Sequence, residues 1–278
     1  MTLEDQKWDS AGVDGRLRVS LIRRGRRTVI ADLEGSGPLR VVRPFPLEED
    51  RILLQLLTVG PGLLAGDRYR VEIRVGEGAK AVVVHPSAAK VHRMAPGRRA
   101  TQHVRIAVEE AGELEYYPGL GIPYPEAELH QCTEVFLSPG SRFGWFEIWT
   151  TGRSAKGEHL EFRTLRVETG IYVGEDPIYR DLLLLVPRRD LVDAPGLLEG
   201  ARYVASGFWR WGDADPEFRE GDGSVLVAGR TGFGDLYLRA LAWDKLSLQK
   251  DLLAVLGAWR ARWGLGEVPW FRYGSGWG

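Results

Sequence analysis

A unit made of a strand, a glycine turn and a second strand recurs along the middle of the chain. In its clearest copy, apolar and charged residues alternate over 69–75, Gly78 follows, and an apolar run occupies 81–84. Alternation with a period of two is typical of a half-buried strand, and a continuous apolar run is typical of a strand covered on both faces. Further copies are centred on Gly112, Gly140 and, more loosely, Gly170. A repeat of roughly 30 residues predicts a mainly β chain of stacked coils (a β-helix) or stacked hairpins. A plain meander of short hairpins would give the same pattern.

The flanking segments extend the β prediction and add one helix. Short apolar stretches bounded by Gly, Pro or charged residues predict strands. They lie at 17–21, 28–31, 39–42, 51–59, 202–211, 224–230 and 236–243. Asp244 is a candidate N-cap, apolar residues recur at helical spacing from Leu252, and Gly264 marks the end of the helix. We expect a flexible lead over 1–15 and a single β domain with a C-terminal helix over 16–278.

Composition argues against several classes of function. The formal net charge is -1, which gives no general attraction to nucleic acid. Cys132 is the only cysteine, so an intramolecular disulfide is excluded and a reducing compartment is favoured. The start of the chain lacks the features of a signal peptide, and no stretch approaches the roughly 18 apolar residues that a membrane span needs. We therefore expect a cytoplasmic protein that binds neither nucleic acid nor membrane.

The segment from Gly60 to Arg93 offers two motifs that suggest catalysis or phosphate binding. Ser87 and Lys90 match S-x-x-K, in which a lysine one helical turn after the serine takes its proton in penicillin-recognising acyl enzymes. The chain has no S-D-N or K-T-G, so a serine acyl enzyme is a remote alternative. The glycines at 60–66 resemble a phosphate loop, but the mechanism requires a helix where this sequence predicts a strand. We interpret these glycines as turn positions.

All five histidines and Cys132 lie within residues 85–159. No two of them have the close spacing of a permanent metal site, such as C-x-x-C or H-x-x-x-H. We therefore predict no catalytic residue, no tightly bound cofactor and no resident metal. His85, His92 and Cys132 remain candidates for transient metal contact.

The ten tryptophans support an alternative function. A non-catalytic β protein that binds carbohydrate or another ligand would place several of Trp145, Trp149, Trp209 and Trp211 on one exposed face. Burial of these rings in the core is the competing interpretation. The aromatic segment 116–125, rich in Pro and Gly, predicts a loop that caps the core or contacts a partner.

Four segments, in this order, resemble the motifs of one family. They are PGLLAGD at 61–67, VHPSAAKVHR at 84–93, LEYYPGLGIPY at 114–124 and GRSAKGE at 152–158, followed by a proline–aromatic pair at Pro269 and Trp270. Together they resemble the UreD family, also called UreH, of urease accessory proteins. The chain departs from the family pattern at His85, Pro86 and His92.

The resemblance implies a largely β, β-helix-like fold and a maturation factor that is not an enzyme. Members of this family bind the structural subunits of apo-urease and a UreF–UreG complex, with UreG held through UreF. They assist nickel insertion, so Ni²⁺ would be a cargo in transit. Polar residues at strand ends would line an internal passage, hold the β layers together by ion pairs, or contact partners. The candidates are Asp67, Lys90, Arg93, Glu115, Arg153 and Glu158.

Overall fold

A computed structural model describes residues 12–47 and 50–266 of the chain. The N-terminal strands are β1 (Asp14–Arg24), β2 (Arg27–Ser36), β3 (Leu39–Val41), β4 (Phe45–Pro46) and β5 (Arg51–Thr58). The central strands are β6 (Arg68–Val75), β7 (Lys80–Val84), β8 (Ala89–Val91), β9 (Ala100–Val108), β10 (Glu113–Pro123), β11 (Glu128–Leu137), β12 (Arg142–Thr150) and β13 (Thr164–Val173). The C-terminal elements are β14 (Asp176–Leu185), β15 (Tyr203–Arg210), β16 (Phe218–Gly221), β17 (Ser224–Arg230), β18 (Leu236–Ala242) and helix α1 (Lys245–Arg262).

The two strands of each repeated unit do not pair with each other. Instead, β6, β9, β11 and β13 pair in parallel in a first sheet. The strands β7, β10 and β12 pair in parallel in a second sheet. Each glycine turn therefore carries the chain from one sheet to the other, and each unit is one coil of a β-solenoid. The β-helix-like prediction is confirmed, and the hairpin interpretation of the repeat is wrong.

The parallel stack ends where the fourth copy was predicted. Gly170 lies inside β13 instead of in a turn, and the chain reverses at Gly174, whose φ is 61°. β14 then pairs antiparallel with β13. The positive φ at Gly174 is in the left-handed region that glycine adopts without strain. In the described residues the first sheet has the order β14-β13-β11-β9-β6-β1-β2, so β14 and β2 are its edges.

The core lies between the two sheets and is built from rows of residues in register. One row on the first sheet runs through Val19, Ile73, Ile106, Val135 and Ile171, all fully or almost fully buried. Burial of each such side chain contributes about 1.5–3 kcal/mol. Because parallel strands repeat the same in–out alternation from coil to coil, one polar residue at an inner position becomes part of a buried row.

The segment 116–125, predicted as a loop, is mostly strand, which corrects that prediction. β10 runs to Pro123 and pairs with β12 on one side and with β7 and then β8 on the other. The register with β12 shifts between Tyr116 and Gly119, and Pro118 lies at that break. A proline is tolerated in a sheet at such an irregularity because its missing N–H removes no ladder hydrogen bond.

The predicted C-terminal helix is confirmed as α1, and it covers the outer face of the second sheet. Asp244 caps it by accepting a hydrogen bond of 2.9 Å from the Ser247 N–H. Leu252, Leu256 and Trp259 on its apolar face are buried against that sheet. Gly264 follows the helix with a φ of 70°. None of the described helices is long and apolar enough to cross a membrane.

The predicted exposed face of tryptophans is absent from the described residues. Trp145, Trp149, Trp209 and Trp211 are 0%, 4%, 2% and 9% exposed. Trp145 and Trp149 lie between the sheets, whereas Trp209 packs under α1 with its ring 5.2 Å from that of Trp259. The rings therefore belong to the core, and the interpretation as a carbohydrate-binding face is wrong.

The two predicted chain ends are only partly described. Residues 1–11 of the predicted lead lie outside the described residues, and β1 already begins at Asp14. The proline–aromatic pair at Pro269 and Trp270 also lies outside the described residues.

A buried group of charged side chains links α1 to the second sheet through ion pairs. Glu115 on the outer face of β10 is 2% exposed and forms ion pairs with Arg260 of the helix and Arg51 of β5. Its Oε2 also accepts a hydrogen bond of 2.7 Å from the Tyr117 hydroxyl. Arg51 additionally pairs with Glu113. Because these charges are removed from water, each depends on its partners.

Glu115→Ala should lower the free energy of unfolding by about 3–5 kcal/mol, since two buried guanidinium groups lose a carboxylate partner. Urea denaturation followed by circular dichroism measures this loss. Glu34→Ala is the matched control, because Glu34 pairs with Arg18 on the surface, where loss of a pair costs at most about 1 kcal/mol. Equal, small losses in both variants would contradict a stabilising role for the buried group.

Candidate functional site

A cavity of about 180 Å³ lies between the two sheets, beside the loop that follows β5. Its apolar lining comes from core residues such as Leu56, Tyr69 and Trp149. Its polar lining comes from His85, Gln102, Gln131, Glu147 and, at the side of the loop 60–62, Lys90. A pocket with a few converging polar groups on an apolar background is the usual form of a small-molecule or ion site.

Glu147 is the most unusual group in this cavity. It lies on the inner face of β12 between Trp145 and Trp149 and is 4% exposed. Its Oε2 accepts a hydrogen bond of 2.8 Å from Gln131 Nε2 on β11, so this bond joins the two sheets through the interior. No basic side chain of the described residues forms an ion pair with it. Burial raises the pKa of Glu147 to about 8, and the charge of Asp181 acts in the same direction. The carboxyl is therefore mostly protonated at neutral pH.

His85 adds a neutral nitrogen to the same cavity. Burial lowers the pKa of His85 to about 4, so its imidazole is uncharged at neutral pH. Its Nε2 lies 3.5 Å from the Tyr116 hydroxyl, and the pKa of that hydroxyl is raised by burial and by the charge of Glu147. An uncharged imidazole and a carboxyl that can release its proton are both possible ligands for a divalent transition metal.

Polar groups continue from Glu147 through the interior. On the second sheet, Ser206 and Arg239 lie beside Glu147 in register. Arg239 donates to Ser206 Oγ at 2.6 Å and pairs with Asp181 of β14. On the facing sheet, Thr133, Thr169 and Asp181 form another row in register. Thr169 Oγ1 is buried without a hydrogen-bond partner among the described residues. We use the name polar row for six residues from the two sheets, which are Gln131, Thr133, Thr169, Asp181, Ser206 and Arg239.

Sequence reasoning selected His85 and Lys90, which line this cavity, but not Glu147 or its partner Gln131. Glu147 is the single charged residue of the otherwise apolar stretch FGWFEIWT, which is the signal that would have marked it. Gln131 and Thr133 occupy inner positions of β11 where apolar residues are expected, and both are buried. The contact between Glu147 and Gln131 joins strands of different sheets, so no local spacing reveals it.

The six sequence-predicted polar residues lie in different places. Asp67 is buried and accepts hydrogen bonds of 2.8 Å from the N–H groups of Val13 and Leu64, which holds the turn before β6. Glu115 belongs to the buried charges under α1. Lys90 and Arg93 are exposed, although Lys90 also lines the cavity.

Arg153 and Glu158 pair with each other in a loop after β12. Arg153 Nε donates to Glu158 Oε2 at 2.7 Å, and a second hydrogen bond makes the pair bidentate. The guanidinium also lies 4.2 Å from the centroid of the Tyr124 ring. The His92 ring also packs on the Tyr124 ring, with a distance of 4.8 Å between the two centroids. His92 Nε2 lies 2.8 Å from the Pro61 carbonyl oxygen. These contacts tie the loop 60–62 at the cavity to the loop that carries Arg153.

The three candidates for transient metal contact do not converge. His85 lines the cavity, His92 binds the loop at Pro61, and Cys132 lies on the outer face of β11 in register with His103. Burial raises the pKa of the Cys132 thiol, which disfavours the thiolate that binds metal. Within 12–47 and 50–266, no group of three or more His, Cys, Asp or Glu side chains could hold a metal ion.

Two arrangements that suggest nucleophilic catalysis have structural explanations. Lys90 lies in the strand β8 and Ser87 in the loop before it, so the helical turn that S-x-x-K chemistry requires is missing and the acyl-enzyme interpretation is wrong. Thr151 Oγ1 lies 2.7 Å from His159 Nδ1, whose Nε2 lies 3.1 Å from Asp193. Thr151 is completely buried, so this chain of contacts anchors the loop before β15 and cannot reach a substrate.

Comparison with known proteins identifies the family. The sequence matches the profile described as UreD urease accessory protein over residues 13–272. The chain belongs to the UreD family. It is 38% identical to urease accessory protein UreD 1 of Synechococcus sp. (strain JA-3-3Ab), over 94% of this chain and 96% of that protein. It is 32% identical to urease accessory protein UreD of Deinococcus radiodurans, over 72% of each chain. The resemblance inferred from the four ordered motifs is confirmed.

Glu147→Gln should flatten the pH dependence of stability in this UreD protein. A carboxyl whose folded pKa of about 8 exceeds its usual 4.5 binds more protons in the folded state, so the free energy of unfolding falls as pH rises between these values. The wild type should lose about 2–4 kcal/mol more than the variant between pH 5 and pH 8.5. Urea denaturation at the two pH values measures the difference. Parallel pH profiles would show that Glu147 ionises normally.

Proposed function

We propose that this UreD protein is a non-enzymatic maturation factor for urease. In this role it binds the apo-urease structural subunits and a UreF–UreG complex, with UreG held through UreF, and assists nickel insertion in the cytoplasm. The family match across residues 13–272 carries the proposal. The polar groups of the interior are consistent with it, since Glu147 is protonated and bound to an amide rather than placed beside a nucleophile.

We further propose that the cavity and the polar row contact Ni²⁺ in transit. Glu147 and His85 supply an oxygen and a nitrogen ligand, and Gln131 holds the carboxyl in place. Entry of a divalent cation would displace the proton from Glu147, because metal ligands bind in their deprotonated form. Weak, incomplete coordination suits a cargo that must leave again.

Co-expression tests the proposed function directly. Tagged full-length protein, produced together with urease structural subunits, UreF and UreG, should co-purify with the subunits and with UreF. UreG should be retained only when UreF is present. Omission of this protein should leave urease with little nickel and little activity. Full activation of urease in its absence would overturn the proposal.

Glu147→Ala should lower the nickel content and activity of co-expressed urease while the complex still assembles, because the cation loses the buried carboxylate of the cavity. Nickel is measured by mass spectrometry of purified urease, and assembly by co-purification. Glu134→Ala is the matched control, since Glu134 lies on the outer face of β11 in the facing sheet and pairs with His103. Full nickel loading by a folded Glu147→Ala variant would remove the interior from the nickel route.

A further inference from the structure

The two sheets of the solenoid do not end at the same place. β14, the last strand of the first sheet, lies over β15 and β18 of the second. Asp181 of β14 pairs with Arg239 of β18, and the Tyr179 ring lies 5.0 Å from that of Phe208 in β15. The second sheet continues past β18 through β17 and β16. These two strands therefore extend beyond the cover that the first sheet provides.

The exposure of side chains along one row of the second sheet shows where the first sheet stops covering it. The row on the inner face of the second sheet runs from Glu147 through Ser206, Arg239 and Val227 to Phe218. Glu147 and Ser206 are buried, whereas Val227 is 40% and Phe218 63% exposed. Cross-strand partners in antiparallel pairs project from the same face, so Val227 and Phe218 point towards the space beside β14.

The edge of β14 borders the same space. Among the described residues β14 pairs only with β13, so its other side presents unpaired backbone N–H and C=O groups. Its outward side chains include Leu182 and Leu184, which are 52% and 36% exposed. A long apolar edge strand with nothing beside it favours pairing with another chain. The open edge of β14 lies beside the inner face of β16, β17 and β18, which carries Val225, Val227, Tyr237 and Phe218 next to Arg239. We call the edge of β14 and this mostly apolar surface the ledge.

We infer that the ledge binds one extended segment of a partner protein, which pairs with β14 and extends the first sheet over β17 and β16. The uncovered strands β17 and β16 leave room for an added strand beside β14, because neighbouring strands in both sheets have the same spacing. Alternate side chains of the segment would cover Val227 and Phe218, so they should be apolar. On the outer side, Arg180 is exposed and has no ion pair among the described residues, which calls for a carboxylate opposite it.

The pattern of β14 fits a different protein better than a second copy of this chain. In a symmetric antiparallel β14–β14 pair, the register that places Leu182 opposite Leu184 places Arg180 opposite Val186. The apolar contact is then satisfied, but the arginine faces an apolar residue. An acidic and apolar segment of another protein satisfies both.

This inference rests on the proposed function, because its test uses the proposed partners. Hydrogen exchange is measured on the full-length chain alone, with apo-urease subunits and with the UreF–UreG complex. Binding should slow exchange of the outward amides of β14 by at least about tenfold, because they gain backbone partners. A photo-crosslinking side chain in place of Val227 should react with one extended segment of the partner. If complexes form but β14 and position 227 are unaffected, the inference is overturned while the proposed function stands. If no complex forms, both are overturned.

Charge substitutions provide the second measurement. Val227→Glu should weaken binding of the responding partner by about tenfold or more, since a carboxylate would be buried against an apolar strand. Arg180→Glu should weaken it as well, with the larger effect at low salt. Leu33→Glu is the matched control, because Leu33 is 45% exposed on β2 at the opposite edge of the same sheet. Thermal melts establish that all three variants fold. Equal affinities for Val227→Glu and Leu33→Glu, or concentration-dependent dimerisation through β14, would contradict the inference.

Discussion

The structure depends on one constraint: each strand of a coil must find its backbone partners in the coils on either side. Parallel pairing in register forces inner residues of successive coils into rows, such as Ile73, Ile106 and Val135. The interior of a solenoid therefore has the chemistry of whole rows instead of single residues. An apolar row makes a core, whereas the row of Thr133 and Thr169 makes a polar line that leads to Asp181.

Two carboxylates buried by these sheets are accommodated in different ways. Glu115, on the outer face, remains surrounded by cations, because Arg51 and Arg260 approach it from a strand and from the helix. Glu147, on the inner face, receives an amide hydrogen bond from Gln131 and has no ion pair among the described residues, so it retains a proton. The first arrangement is suited to holding α1 in place. The second leaves a carboxyl that can still release its proton, and this is the property on which the proposed contact with Ni²⁺ in transit depends.

Local patterns predicted many of the elements but not β8, β14 or β16, and long-range contacts decided what the patterns could not. The period-two alternation around Val71 and the cap at Asp244 depend on neighbouring residues, and both predictions are correct. The segment 116–125 looked like a loop because its prolines and glycines carry local signals. Its strand character comes from β7, β8 and β12 on either side of it. The partnership of Glu147 with Gln131 was equally invisible, since it arises only when two sheets face each other.

The polar interior and the ledge meet at β14. This strand carries Asp181 on its inner face, where it pairs with Arg239, while its free edge forms one side of the ledge. Arg239 lies beside Val227 in register, and its side chain remains 43% exposed. A segment that covered Val227 would also remove water from this ion pair, and the loss of water strengthens the attraction between the two charges. Docking on the ledge would therefore strengthen the ion pair between Asp181 and Arg239, which lies at the β14 end of the polar row. In this way a partner bound at the edge of the first sheet could act on the interior without touching the cavity.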